Sequence, residues 1–348
     1  MLSLFIPVGI IMVAGLVTLS ALSIHLFWLQ LVWIALGAGA VIFFLFFDWR
    51  AIFNIRWAIV AFYIFTLLLM LFLLLHGSVI RNARNWIVLG PLSIQPVELM
   101  KAALIFLYAM YFRRRHLAVA RLENIVTSFI FFIIPAAIAV RLPDLGSAVI
   151  FFGIWFGFLL LLGLPWRRVL ITVAIFALAG IFVWNFVLRD YHRARIIGFF
   201  YPQQNSLGIN YSVTQSRIAI GSAGFWGKGY GQGTQAELGF LSEPTEDFIF
   251  AAFIEEWGIF GGLVVLAAFF FLIWRILSIG SFAQENFAKC ICLGVAVMLS
   301  VQFFLNAGSA TGLLPVIGVT FPFLSYGGTS MFVDCFLLAI VNAIRRQS

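Results

Sequence analysis

Residues 215–258 read QSRIAIGSAGFWGKGYGQGTQAELGFLSEPTEDFIFAAFIEEWG. This is the one long polar, glycine-rich interval in an otherwise apolar chain. It ends with Asp247 where a long apolar run begins, and an ionisable side chain at such a place is costly in lipid and marks function by default. The surrounding composition decides what kind of frame holds it. The chain has 348 residues, 64% of them hydrophobic and 10% charged, with mean hydropathy +1.10. A soluble domain of this size would lack the polar residues to cover its core. In a bilayer the same composition is natural, because apolar runs of about 20 residues cross it as helices. The expected fold is therefore all-α, a single polytopic membrane domain over 1–348.

Ten spans are expected: Leu4–Leu22, Leu26–Phe47, Ile59–Leu75, Pro96–Phe112, Ile125–Val140, Ser147–Leu164, Val169–Leu188, Phe248–Leu277, Phe287–Leu305 and Phe323–Ile344. The fourth is among the shortest and carries charge. The eighth is the longest and is expected to tilt or to extend past the bilayer. The large loop, 189–246, falls between spans seven and eight. The N-terminus has no basic region and no small-residue cleavage site, so it reads as a first span and not as a removable signal.

Orientation follows from Lys and Arg. Arg50, Arg56, Arg113, Arg114, Arg115, Arg121, Arg167, Arg168, Arg275, Lys289, Arg345 and Arg346 fall on one side, and the opposite short loops hold Arg81, Arg84 and Arg141. The positive-inside rule puts both termini in the cytoplasm and the long loop outside. The net charge of +8 thus reads as topology and not as a nucleic-acid signal. Cys290, Cys292 and Cys335 lie in apolar runs without metal-ligand spacing and read as packing residues.

The outer loop mixes Phe225, Trp226, Tyr230 and Phe240 with glycines, and 212–220 is amphipathic. It is expected to fold back on the bundle, where glycines permit close backbone approach to a polar head group; a structured cap without ligand fits the composition equally well. Inside the frame, Glu98 and Lys101 share a helix face at i, i+3 and can pair. The pair reads as structural glue or as part of a polar site. Asp144 reads as a helix N-cap. Glu255 and Glu256 point to different faces, so at least one should reach a polar groove. Asp334, in the last span, should face protein. Asp247 is either an N-cap or a general base, and the residues alone leave both open. No Ser/His/Asp set, P-loop or HExxH occurs, which leaves peptidase and NTPase chemistry unsupported.

Five segments together resemble the SEDS family (shape, elongation, division and sporulation) of peptidoglycan glycosyltransferases. They are RNARNWIVLGPLSIQPVELMK (81–101), PDLGSA (143–148), QSRIAIGSAGFWGKGYGQGTQ (215–235), DFIFAAFIEEWG (247–258) and GLLPVIGVTFPFLSYGGTS (312–330), in the family's order. The short termini resemble its RodA branch. The chain departs from the family pattern at Thr245 and Glu246, just before the acid, and at Ser309 and Ala310.

The resemblance implies transfer of the lipid II glycan to an acceptor hydroxyl at the outer face of the bacterial cytoplasmic membrane. It implies Asp247 as the base. Arg217 and Lys228 are the nearest cations in sequence for the leaving diphosphate; a divalent metal such as Mg or Mn is left open, and no other cofactor is implied. Trp86 and Gln95 are expected at the cavity lining, with Glu98 and Lys101 below Asp247. The implied partners are lipid II, membrane lipids and a class B penicillin-binding protein, with no nucleic acid. A lipid II flippase without chemistry, or a scaffold for other wall proteins, are the alternatives. A flippase needs charges along the path between leaflets, whereas the inner halves of these spans are largely apolar.

Overall fold

The computed structural model describes residues 2–47, 50, 55–77, 85–89, 92–115, 119–186, 190–201 and 210–347. Asp48, Arg81, Arg84, His116 and Arg189 lie outside them. Each of the ten expected spans falls on a helix: α1 (Leu2–Leu22), α2 (Ile24–Phe46), α3 (Arg56–His76), α4 (Pro96–Phe112), α5 (Leu122–Arg141), α6 (Leu145–Leu161), α7 (Trp166–Phe186), and, beyond the polar interval, α11 (Ile249–Phe282), α12 (Asn286–Thr311) and α13 (Gly328–Gln347). Seven of these, α1, α2, α3, α5, α11, α12 and α13, are long and apolar enough to cross a membrane by length and composition. The polar interval carries the shorter helices α8 (Asp190–Phe200), α9 (Tyr211–Ser222) and α10 (Thr234–Glu237). The amphipathic piece expected at 212–220 is α9, folded back onto α11 and α12. One small departure from an all-helical chain is an antiparallel hairpin, β1 (Ile87–Leu89) and β2 (Leu92–Ile94), with Ile87 opposite Ile94.

The charged fourth span is densely buried. Pro96 opens α4 at a position where its missing N–H loses no helical bond. Fourteen of its residues, from Pro96 to Phe112, are buried, because α3, α5, α6, α12 and α13 all pack on it. A helix surrounded by protein needs no lipid-matching face, so it can carry Glu98 and Lys101. The outer helices show the reverse pattern. Val13, Trp28, Phe65, Leu178 and Leu263 are all exposed, as a lipid-facing wall requires. Close packing inside uses small residues. Gly153 and Gly157 of α6 sit against Val301 and Val297 of α12, and Gly37 of α2 sits against Cys335 of α13. All three cysteines are free and buried.

Helix ends shift from expectation by up to six residues, as where α12 runs past Leu305 to Thr311, and two departures change the architecture. As one rod, the 34 residues of α11 would run about 51 Å, far beyond the ~30 Å hydrocarbon core. The helix is not one straight rod; it breaks at Gly258, whose φ is 72°. The turn 224–229 docks into the break through four backbone bonds, Lys228 N to Glu255 O, Gly229 N to Glu256 O, Ile259 N to Gly224 O and Phe260 N to Phe225 O. A Cβ at Gly227 would run into the Glu256 carbonyl, and one at Gly258 into the Phe225 carbonyl. Both glycines are therefore required by contact as well as by positive φ. The last helix starts at Gly328 and not at Phe323. Residues 320–327 form a non-helical segment folded around Ser325, whose hydroxyl takes the Phe321 N–H at 2.8 Å.

Candidate active site

The polar interval is held by the two adjacent carboxylates before the Gly258 break. The Glu255 carboxylate accepts the N–H groups of Gln235 and Ala236 at 3.0 and 3.3 Å, which opens α10, and the Thr234 hydroxyl at 3.2 Å. It also pairs with the Lys228 ammonium at 2.6 Å. Glu256 takes the Gly231 N–H at 3.2 Å. Both carboxylates turn to the glycine-rich loop, so the loop's shape is fixed by buried charge and backbone contact together. Lys228 is thereby committed to Glu255, a structural role that its position in the sequence did not reveal.

Asp247 is half-buried and stands just before α11. The N-cap position belongs to Phe248, with no side-chain cap bond; the capping role weighed for Asp247 is not the one it takes. Its backbone is fixed from two sides. Asn306 of α12 donates to the Asp247 carbonyl at 2.9 Å and to the Val319 carbonyl at 2.7 Å. Ser325 donates to the Glu246 carbonyl at 2.7 Å, and Tyr326 N to the Thr245 carbonyl at 2.9 Å. The Asp247 carboxylate faces Gly318. Asn306 lies five residues before the end of α12, about 8 Å down the helix, so the acid is recessed by more than one turn. Asn306 and Ser325 are backbone-supporting positions that reading the residues alone did not single out. The signals were a polar amide inside an apolar run and a serine in the FPFLSYGG segment.

Glu98 and Lys101 form a second centre. The ammonium donates to both carboxylate oxygens at 2.6 and 2.7 Å, and the residues are 6% and 1% exposed. Gln95, at the N-cap of α4, donates its backbone N–H to the Thr329 hydroxyl oxygen at 3.0 Å and its side-chain amide to Asp144 at 3.4 Å. Asp144 caps α6 as expected, accepting the Ser147 N–H at 2.9 Å and its hydroxyl at 2.8 Å. Burial pushes the Asp144 carboxyl above its usual range, opposed by the Ser147 bonds and the Lys101 charge. The Lys101 charge also acts on Asp334 of α13, which is 2% exposed and has no hydrogen-bond partner on either oxygen. Gln95 is thus tied to Asp144, and the Lys101 charge acts on both Asp144 and Asp334, while the Asp247 carbonyl is held by α12 and its carboxylate faces Gly318. Trp86 is half-buried immediately before β1.

Arg217 is on α9, exposed, and lines a cavity of about 220 Å³ with Asn210, Ser212, Thr214, Gly312 and Val316 among others. Its side chain packs over Gly312, the left-handed residue that ends α12. Among the described residues no group of three or more His, Cys, Asp or Glu side chains is placed to hold a metal ion. No step below is routed through a metal.

Comparison with known proteins agrees with this architecture. A family model described as a cell cycle protein, covering FtsW, RodA and SpoVE, matches residues 1–348. The peptidoglycan glycosyltransferase MrdB of Escherichia coli strain K12 is 35% identical over 282 residues, 81% of this chain and 76% of the relative. A chain from a peptidoglycan synthase complex superposes with TM-score 0.84 at 30% identity, covering 99% of this chain and 97% of that one. The rod shape determining protein RodA of Thermus thermophilus gives 0.74 at 27% identity, covering 100% and 97%. A helical, multi-span membrane protein with this polar loop and this buried core belongs to the FtsW/RodA/SpoVE family.

Proposed function

We propose that this chain is a peptidoglycan glycosyltransferase that polymerises lipid II at the outer face of the bacterial cytoplasmic membrane. Helices α4, α6 and α7 join the seven long apolar helices in a bundle of ten crossings. Both termini are cytoplasmic and 189–246 is external, as the Lys and Arg distribution requires.

In the reaction the acceptor sugar hydroxyl gives its proton to the Asp247 carboxylate as its oxygen bonds the donor's anomeric carbon. The bond from that carbon to the diphosphate oxygen breaks, and the electron pair leaves with the prenyl diphosphate. Such a step needs a base within hydrogen-bond reach and positive charge at the leaving group. Glu123 and Glu285 lie on the cytoplasmic side in this topology, as does Asp48. Glu237 and Glu243 are exposed on the loop, and Asp144 is committed to its cap. The observation that carries the reading is Asp247 itself, half-buried, with its carbonyl held by Asn306 of α12 and the preceding Glu246 carbonyl held by Ser325.

Translocation without chemistry is the weaker reading, because the charges inside the bundle do not line an open path. Glu98, Lys101 and Asp334 are sealed from solvent. A chain of a peptidoglycan synthase complex that coordinates polymerization and crosslinking shares this fold, so a single-span class B penicillin-binding protein is the expected partner. The test is incubation of purified protein with labelled lipid II, alone and with that partner. Glycan polymer supports the reading, whereas lipid II moved between leaflets without polymer would replace it with a flippase.

A further inference from the structure

The two cations nearest the acid in the polar loop have different fates, and the difference assigns a site. Lys228 is paired with the buried Glu255 carboxylate and hydrogen-bonded to Thr234 at 2.9 Å. To meet a ligand it would have to give up its ion pair with Glu255. Arg217 makes no hydrogen bond or ion pair among the described residues, and it opens onto the cavity beneath α9. No carboxylate lines that cavity. Its polar groups are the Arg217 guanidinium, the Ser212 and Thr214 hydroxyls and the Asn210 amide. We propose that this cavity is the subsite for the diphosphate of the lipid-linked donor, and that it retains the prenyl diphosphate after transfer; this rests on the polymerase reading above.

Size, chemistry and position all bear on the assignment. The cavity's 220 Å³ is below the roughly 300–1,000 Å³ of sites for drug-sized ligands, so it takes a single compact group and not a disaccharide. A planar guanidinium with hydroxyl donors matches phosphate oxygens, and the missing carboxylates remove the acceptors a sugar site uses for hydroxyl groups. The cavity is anchored next to the acid. Ser216, adjacent to Arg217, donates to the Ala310 carbonyl, while Asn306 holds the Asp247 carbonyl. Those two residues of α12 are four apart, about 6 Å along its axis. One short segment, 312–318, joins the cavity floor at Gly312 to Gly318 beside the Asp247 carboxylate. Displacement at an anomeric carbon places base and leaving group on opposite sides of that carbon, and two anchor points about one helical turn apart on one rigid helix suit that arrangement.

The test measures binding and not turnover, so it stands apart from the polymerase assay. A fluorescent farnesyl diphosphate analogue is titrated into the purified full chain in detergent, with inorganic pyrophosphate and an N-acetylglucosamine disaccharide as competitors. The wild type should bind the probe, and pyrophosphate should displace it. Arg217→Gln should weaken binding at least about tenfold, the loss expected for a charge-assisted contact, and Arg217→Lys should restore most of it. Thr214→Trp, which fills the cavity without changing charge, should weaken it to a similar degree. Thermal unfolding of each variant confirms that it is folded. Unaltered binding by folded Arg217→Gln and Thr214→Trp would overturn the assignment. So would displacement by the disaccharide but not by pyrophosphate, or failure of the wild type to bind the probe.

Discussion

Breaking the Glu98–Lys101 pair tests how the centre of the bundle is held. The ammonium lies 2.6 Å from the nearer carboxylate oxygen and both side chains are nearly fully buried. At that distance two unit charges attract by about 6 kcal/mol at an effective dielectric of ~20. Removing the two ions from water costs several kcal/mol each, so the intact pair comes out close to even. Losing one partner is different, because the other charge stays buried without compensation, at about 3–5 kcal/mol. The two single variants should not be equal. Glu98→Gln leaves Lys101 near Asp144 and Asp334, both of which feel its charge. Lys101→Met leaves Glu98 facing those same two acids. The lysine variant should therefore fall at the top of the range and the glutamate variant at the bottom. The double variant removes both charges and should cost no more than about 2 kcal/mol. Reversible unfolding in mixed maltoside and dodecyl sulfate micelles, followed by tryptophan fluorescence, gives the cycle. A coupling of at least ~3 kcal/mol is expected. Effects that add to within ~0.5 kcal/mol would refute a mutually compensating pair.

Three further outcomes follow from the geometry. Gly258→Ala and Gly227→Ala should each lose stability by more than the ~1–2 kcal/mol of a left-handed alanine, because the added Cβ meets a carbonyl; Gly224→Ala, with open space around it, should lose about that amount, and thermal unfolding separates the cases. Burial raises the Asp144 carboxyl in the folded state, so the folded chain holds that proton more tightly than the unfolded one. Its contribution to stability is full below the ordinary value of 3.8 and declines as pH rises from there through the raised value; Asp144→Asn should flatten that slope in pH-resolved unfolding. Cysteine introduced at Ser222, which is exposed, should react with an impermeant thiol reagent added outside spheroplasts, and labelling only from the cytoplasmic side would reverse the topology.

What the residues revealed depended on whether a feature was local. Each apolar run fell on a helix because the bilayer makes period and length decisive. The Glu98–Lys101 pair was legible because i, i+3 spacing fixes contact within one helix. The Asp144 cap was legible for the same reason. The break at Gly258 was hidden, since glycine is common in membrane helices and the apolar run continues past it without interruption. What makes the break is a turn about 30 residues upstream that supplies the missing backbone partners, and no local pattern encodes that. Lys228 was grouped with Arg217 by nearness to the acid; Glu255, 27 residues away, claims it. The start of the last helix was set five residues early, because Phe323 and Leu324 are apolar yet serve a buried loop around Ser325. Asn306 and Ser325 support Asp247 from 59 residues beyond it and from 79 residues beyond Glu246. Asp334 was recognised as awkward in lipid, but its neighbours appear only once α4 and α13 pack together.

Asp247→Asn keeps the size and much of the hydrogen bonding of the side chain and removes the base. The measurement is the initial rate of glycan polymerisation from labelled lipid II by the purified chain with its penicillin-binding partner, wild type against Asp247→Asn, with matched thermal unfolding as the folding control. Loss of a general base is worth about 10²-fold or more, so the expected result is a fall of that size in folded protein. Polymerisation by folded Asp247→Asn at the wild-type rate would contradict the assignment of the base.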